Sequence, residues 1–297
     1  MHDPIVRERL LVAALVGVGC GRIGFAAEPA DGGQVEAAVP LGPWGNVHII
    51  GELADAGSKD DPTLSMDELE LFFTTSAMGG PGSCDVWTST RPALGATWSP
   101  ATPLDGAVNS IACESSPELA PDGLTLWFSS SRLGSHDLYE AHRATRASPW
   151  QVASEVVGVN SQTNDLGPTV TADQLTLVFY SDRAGTNDLY VATRSVVTAP
   201  WGAPTIIAEL TSDADERSPH LAYDGKTLWF VSTAAGSQDP YVGVKEVDGR
   251  FDSHRIDELS TAVDDDDPWV SRDEHRIYFA RDRVGSPSVS DLMMADR

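Results

Sequence analysis

Basic residues are scarce in this chain of 297 residues: 20 Lys and Arg stand against 44 Asp and Glu, a formal charge of −24 at neutral pH. Such a surplus repels phosphate backbones and anionic headgroups, which excludes nucleic acid as an expected partner. It keeps an exported protein soluble, or it serves a cation or cationic ligand. Catalytic signatures are missing as well. There is no Gly-x-Ser-x-Gly elbow, no phosphate-binding loop and no cysteine nucleophile arrangement. The seven histidines, His2, His48, His136, His142, His220, His254 and His275, follow no metal-ligand spacing. Each reads as a surface or packing residue, and no zinc site is supported. Long apolar runs are absent beyond Leu10 to Val18, itself too short to span a bilayer, so the mature chain is not expected to cross a membrane. What remains is a globular composition, 41% hydrophobic and 22% charged.

The N-terminus reads as an export signal over residues 1–27. Arg7 and Arg9 precede the apolar run, Gly19-Cys20 follows it, and small residues recur at Ala26-Ala27. Gly19-Cys20 resembles the end of a bacterial lipobox, whose cysteine is lipidated. Gly17 stands where that motif usually has leucine, and Asp3 and Glu8 weaken the positive start. Lipidation at Cys20 and ordinary cleavage after Ala27 therefore both stay open. Residues 28–43, rich in Gly, Ala, Pro and acids, read as a flexible linker. The expected location is the periplasm, or the outer membrane through the Cys20 lipid alone, or the medium after secretion.

A repeat organises everything after the linker. Asp61-Pro62, Ser116-Pro117, Gly167-Pro168, Ser218-Pro219 and Asp267-Pro268 recur at spacings of 55, 51, 51 and 49. Five residues after each proline comes Asp67, Asp122, Asp173, Asp224 or Asp273. An alternating apolar segment such as Leu124-Thr125-Leu126-Trp127-Phe128 follows, then a glycine turn, then Asp85, Asp137, Asp188, Asp239 or Asp291 opening another strand. A last segment begins at Trp98, Trp150, Trp201 or Phe251, whose ring can fill the space between neighbouring sheets. Four strands per unit without helical periodicity exclude a βαβ fold and predict an all-β propeller. Trp44 opens an isolated outer strand and the fifth unit stops after its third. One-plus-three closure then gives five blades from residues 44–297; six would need a hidden repeat or a second chain.

At Ser116-Pro117-Glu118-Leu119-Ala120-Pro121-Asp122-Gly123-Leu124-Thr125-Leu126-Trp127-Phe128-Ser129-Ser130-Ser131-Arg132 and Asp137-Leu138-Tyr139 the sequence resembles the TolB-type, WD40-like (PD40) β-propeller repeats of bacterial envelope proteins. The resemblance covers about residues 44–297. It implies an envelope protein. The OmpA-like peptidoglycan-binding domain that often accompanies such repeats does not follow within these residues, so that role is not expected.

Alternating strand direction puts the glycine turns and inter-blade loops on one face. Glu114, Asp165, Glu216 and Asp265 fall there, three residues before their prolines, with Lys59 at the first repeat and Asp60, Asp61, Asp264, Asp266 and Asp267 nearby. Two readings stand. The acids crowd the channel mouth, favouring a bound cation such as calcium or a raised carboxyl pKa, or they pair with Arg132, Arg183 and Arg283 repeat by repeat. The first and fourth repeats have Ala77 and Ala234 in place of that arginine. Cys84 and Cys113 fall on this same face of adjacent blades, which allows a disulfide in an exported chain.

The leading functional expectation is a noncatalytic binding or scaffolding propeller, monomeric, presenting one face to an envelope protein, peptide or glycan; this rests on analogy. A carbohydrate-active enzyme is the alternative, using two of Glu114, Asp165, Glu216 and Asp265 about 5–10 Å apart in one pocket. The near-equivalence of these acids favours structure. A calcium-stabilised propeller without catalysis is the third. No cofactor other than calcium is expected.

Overall fold

A computed structural model of the chain describes residues 41–54, 57–77 and 79–297. The expected signal, Cys20 and the expected linker up to residue 40 lie outside them. Among the described residues no helix is long and apolar enough to cross a membrane. The strands are β1 (Gly45–Ile49), β2 (Lys59–Leu64), β3 (Glu70–Thr75), β4 (Asp85–Thr90), β5 (Thr102–Pro103), β6 (Glu114–Leu119), β7 (Thr125–Ser130), β8 (Asp137–His142), β9 (Ser154–Glu155) and β10 (Asp165–Val170). They continue with β11 (Thr176–Ser181), β12 (Asp188–Thr193), β13 (Thr205–Ile206), β14 (Glu216–Leu221), β15 (Thr227–Ser232), β16 (Asp239–Lys245), β17 (Phe251–Arg255), β18 (Asp265–Val270), β19 (Arg276–Arg283) and β20 (Ser286–Asp296).

These strands build five antiparallel four-stranded sheets. Four are sequential, β2 to β5, β6 to β9, β10 to β13 and β14 to β17, and the fifth has the order β1-β20-β19-β18. The chain is thus a five-bladed β-propeller closed one-plus-three, with Gly45 opposite Asp296. The strands β2, β6, β10, β14 and β18 abut one another around the axis. Every residue of the second strand β7 is buried because neighbouring blades cover both its faces.

Local chemistry repeats from blade to blade. After each inner strand an aspartate carboxylate accepts the N–H two residues on, as Asp122 does from Leu124 at 2.8 Å, closing an Asx turn. The residue after that aspartate has positive φ, met by Gly123 and Gly225 but also by Glu68, Gln174 and Glu274. The outer aromatic wedges onto the blade before it: Trp150 meets Phe72, Trp201 meets Trp127 and Trp44 meets Trp229, edge to face. A cation caps each wedge, with Arg91, Arg143, Arg194 and Arg297 lying 4.2–4.5 Å over Trp98, Trp150, Trp201 and Trp44.

One seam joins each pair of blades on the glycine-turn face. His136 N–H donates to Asn164, Asn187 N–H to Asp215, Gln238 N–H to Asp264 and Ser290 N–H to Ser58, at 2.9–3.2 Å. Between the first two blades the same two positions are Cys84 and Cys113, joined as a disulfide with Cα atoms 4.5 Å apart. Covalent chemistry stands there in place of a hydrogen bond.

Candidate functional site

The four repeat acids are placed inside their own blades. Glu114, Asp165 and Asp265 are 0% exposed and Glu216 is 2% exposed. Glu114 accepts from Ser110 N–H and Oγ at 2.7 Å, from Ser130 Oγ at 2.6 Å and from Arg132 at 3.1 Å. Asp165 takes Ser161 N–H and Arg183. Glu216 has no arginine and is held by Ser212 and Ser232 hydroxyls at 2.5 and 3.1 Å. For Asp265 the partner is Arg281, not Arg283. The β18–β19 register sets Asp265 opposite Arg281, whose guanidinium also reaches the Leu259 carbonyl, the hole that Arg132 and Arg183 fill at Val108 and Val159. Arg283, two residues on, pairs with Asp291. Lys59 is 3% exposed and donates to the Gly57 carbonyl.

The channel mouth is made instead by the residues one and two places before each proline. Asp61, Ser116, Gly167, Ser218 and Asp267 all have φ between 48° and 59°, and the ladder to the second strand shifts register at each. The resulting bulge turns a polar side chain towards the axis. Asp61 N–H donates to Asp267 at 3.0 Å, Ser116 Oγ to Asp61 at 3.1 Å and Ser218 Oγ to Asp267 at 2.6 Å. At the third blade the ring has Gly167, where a Cβ would lie 2.7 Å from the Tyr180 ring. Burial, then the nearby carboxyls of Asp61, Asp267 and Asp266, holds the Tyr180 hydroxyl well above its ordinary range.

Beside this ring lies a cleft of about 360 Å³ lined by Ser58, Asp60, Gln238, Asp264, Asp266, Asp282 and Ser290. Its lining has four carboxyls and no basic side chain. Burial, then the neighbouring Asp61, raises Asp60 to about 6. Burial also raises Asp266, and burial with the charge of Asp266 raises Asp267 far above the carboxylate range. Burial and mutual repulsion thus shift all three towards the protonated form. Among the described residues no three His, Cys, Asp or Glu side chains are grouped to hold a metal ion.

Deeper in the channel one residue per blade forms a waist: Thr63, Glu118, Thr169, His220 and Trp269, with cavities of about 40 and 30 Å³ against it. Those volumes suit water molecules, not a sugar ring. Burial lifts Glu118 to about 8 and lowers His220 to about 4. The sequence reading took His220 as a surface or packing residue and gave Glu118 no role of its own, since this column varies from blade to blade and shows no repeat. The available signal was a Glu and a His in the interior half of two inner strands.

No family model and no curated protein matches the chain. Solved structures do. A TolB from Agrobacterium tumefaciens shares 16% identity over 80% of this chain and 76% of its own, with a TM-score of 0.52. A thermostable family-43 glycoside hydrolase shares 13% over 82% and 91%, at 0.60. Zg3597, a family 117 glycoside hydrolase from Zobellia galactanivorans, shares 11% over 81% and 84%, at 0.57. What is shared at these identities is the fold, a β-propeller found in a TolB and in glycoside hydrolases alike.

Proposed function

We propose that the chain is a noncatalytic binding propeller of the bacterial envelope, exported by its N-terminal signal, whose glycine-turn face captures a cationic segment of a protein or peptide. The observation carrying this reading is the cleft of about 360 Å³ lined by Asp60, Asp264, Asp266 and Asp282 without a basic side chain. An incoming ammonium or guanidinium offsets the burial and mutual repulsion that raise Asp60 and Asp266. Enzymatic use of Glu114, Asp165, Glu216 and Asp265 draws no support from their burial and full pairing within each blade. Catalysis needs unequal carboxyls sharing a substrate-sized pocket.

The test is thermal shift and titration calorimetry of the full chain with lysine- and arginine-rich peptides, neutral glycans and calcium, at two salt concentrations. Basic peptides should stabilise the protein, more weakly at high salt, and Asp266→Asn with Asp282→Asn should remove the effect. Stabilisation by glycans or calcium with none by basic peptides would overturn the reading.

A further inference from the structure

Hydrogen-bond inventory at the waist of the channel leaves one proton to place. Thr63 Oγ1 accepts the Leu119 N–H at 3.1 Å and donates its own proton to Glu118 Oε2 at 3.0 Å. Thr169 Oγ1 accepts the Leu221 N–H at 3.0 Å and donates to Glu118 Oε1 at 3.1 Å. Both hydroxyls thus act as donors to the carboxyl. Across the channel, His220 Nε2 lies 3.3 Å from the Val270 carbonyl oxygen. A carbonyl only accepts, so Nε2 carries the hydrogen, and the neutral ring turns its lone pair, on Nδ1, towards Glu118 Oε1 at 4.0 Å. That distance is too long for a direct bond and fits one bridging molecule, and both side chains line a cavity of about 40 Å³.

We propose that Glu118 and His220 share one proton across the channel through a single bridging water, and that this proton links the inner strands β6 and β14 in a pH-dependent way. The threonines tie β6 to β2 and β10, and His220 ties β14 to β18. Leu221 N–H already joins β14 to Thr169, so the shared proton adds a second, titratable link between β6 and β14 in a network touching all five inner strands. The charged groups that face the pair stand at either end of the channel. Asp61 of β2 and Asp267 of β18 stand at the mouth, with Tyr180 of β11 beside them. On the opposite side Arg272 sits 4.2 Å over the Tyr223 ring. Burial favours the neutral pair, raising Glu118 to about 8 and lowering His220 to about 4, so at neutral pH the proton rests on Glu118.

The sign of the pH response follows. Glu118, raised from 4.5, gives stability that is present below about 4.5 and lost as pH rises through about 8. His220, lowered from 6.5, gives stability that is present above about 6.5 and lost as pH falls through about 4. The two slopes cancel between about 4.5 and 6.5, and the pair's contribution falls from there to about 8.

Unfolding free energy of the full chain is measured against pH for the wild type, Glu118→Gln and His220→Gln, with infrared spectra of the carboxylic-acid C=O band. From about pH 6.5 to 8 the wild-type slope should exceed that of E118Q by up to about one proton. Asp60, Asp266 and Asp267 contribute equally to both and drop out. The protonated band should be present at neutral pH, titrate near pH 8, vanish in E118Q and shift in frequency and midpoint in H220Q. Equal slopes with no E118Q-sensitive band would overturn the proposal. So would a Glu118 band that H220Q leaves unmoved. If E118Q fails to fold, the wild-type and H220Q spectra decide alone.

Discussion

Cutting the Cys84–Cys113 bond tests whether the seams between blades act as the structure shows. The disulfide closes a loop of 29 residues, for which the chain-entropy relation gives about 3.6 kcal/mol at 25 °C. For a domain of this size each kcal/mol moves the melting point by roughly 2–4 °C, so reduction should lower it by about 7–14 °C. The fold itself should survive. Glu114 N–H still donates to the Cys84 carbonyl at 3.0 Å and Ser131 N–H to the Cys113 carbonyl at 3.0 Å. Thermal unfolding with and without reductant, beside a Cys84→Ser, Cys113→Ser variant, gives the shift; thiol titration confirms the redox state. A second variant, Cys84→Ser with Cys113→Asn, places at this seam the residue type found at Asn164 and should recover about 1 kcal/mol. A double-serine variant melting within about 2 °C of the oxidised protein, under one kcal/mol by the same conversion, would refute the reasoning.

Gly167→Ala should destabilise by about 1–3 kcal/mol in chemical denaturation, because the residue sits at φ 59° with its Cβ direction 2.7 Å from Tyr180. Glu68→Ala should cost about 3–5 kcal/mol by the same assay. It leaves Arg276, now 2.6 Å away, and the Tyr278 hydroxyl without their shared acceptor between the fifth and first blades. Trp44→Ala should cost about 3–5 kcal/mol and raise proteolytic nicking of β1, since this ring wedges against Trp229 under Arg297.

The architecture was legible because several independent signals coincide in each repeat. The Asp of the turn, the alternating second strand and the glycine turn gave blade boundaries, and Trp44 announced the borrowed strand that β1 supplies. The candidate site was only partly legible. Repetition drew attention to Glu114, Asp165, Glu216 and Asp265, yet a group that recurs in four blades is one that those blades need for their own packing. Arg281 was hidden because it reaches the shared hole from two positions earlier than Arg132 and Arg183 do. Glu118 and His220 belong to a column whose members differ, and only the ring of inner strands brings them together. Which acids share a cleft, Asp60 with Asp266 and Asp282, depends on closure between the first and last blades.

The seams also order the folding reaction. Four of them join residues 26–29 positions apart, whereas the Ser58–Ser290 seam spans 232. Short loops close at low entropic cost, so the four local seams can form while the ring is still open, each consolidating one blade against the next. The contact between the first and last blades is therefore expected to form last. Substitutions at Ser58 or Ser290 should therefore accelerate unfolding and leave the refolding rate almost unchanged, while those at the Asn187–Asp215 seam should slow refolding. The propeller thus assembles as an arc and finishes as a circle.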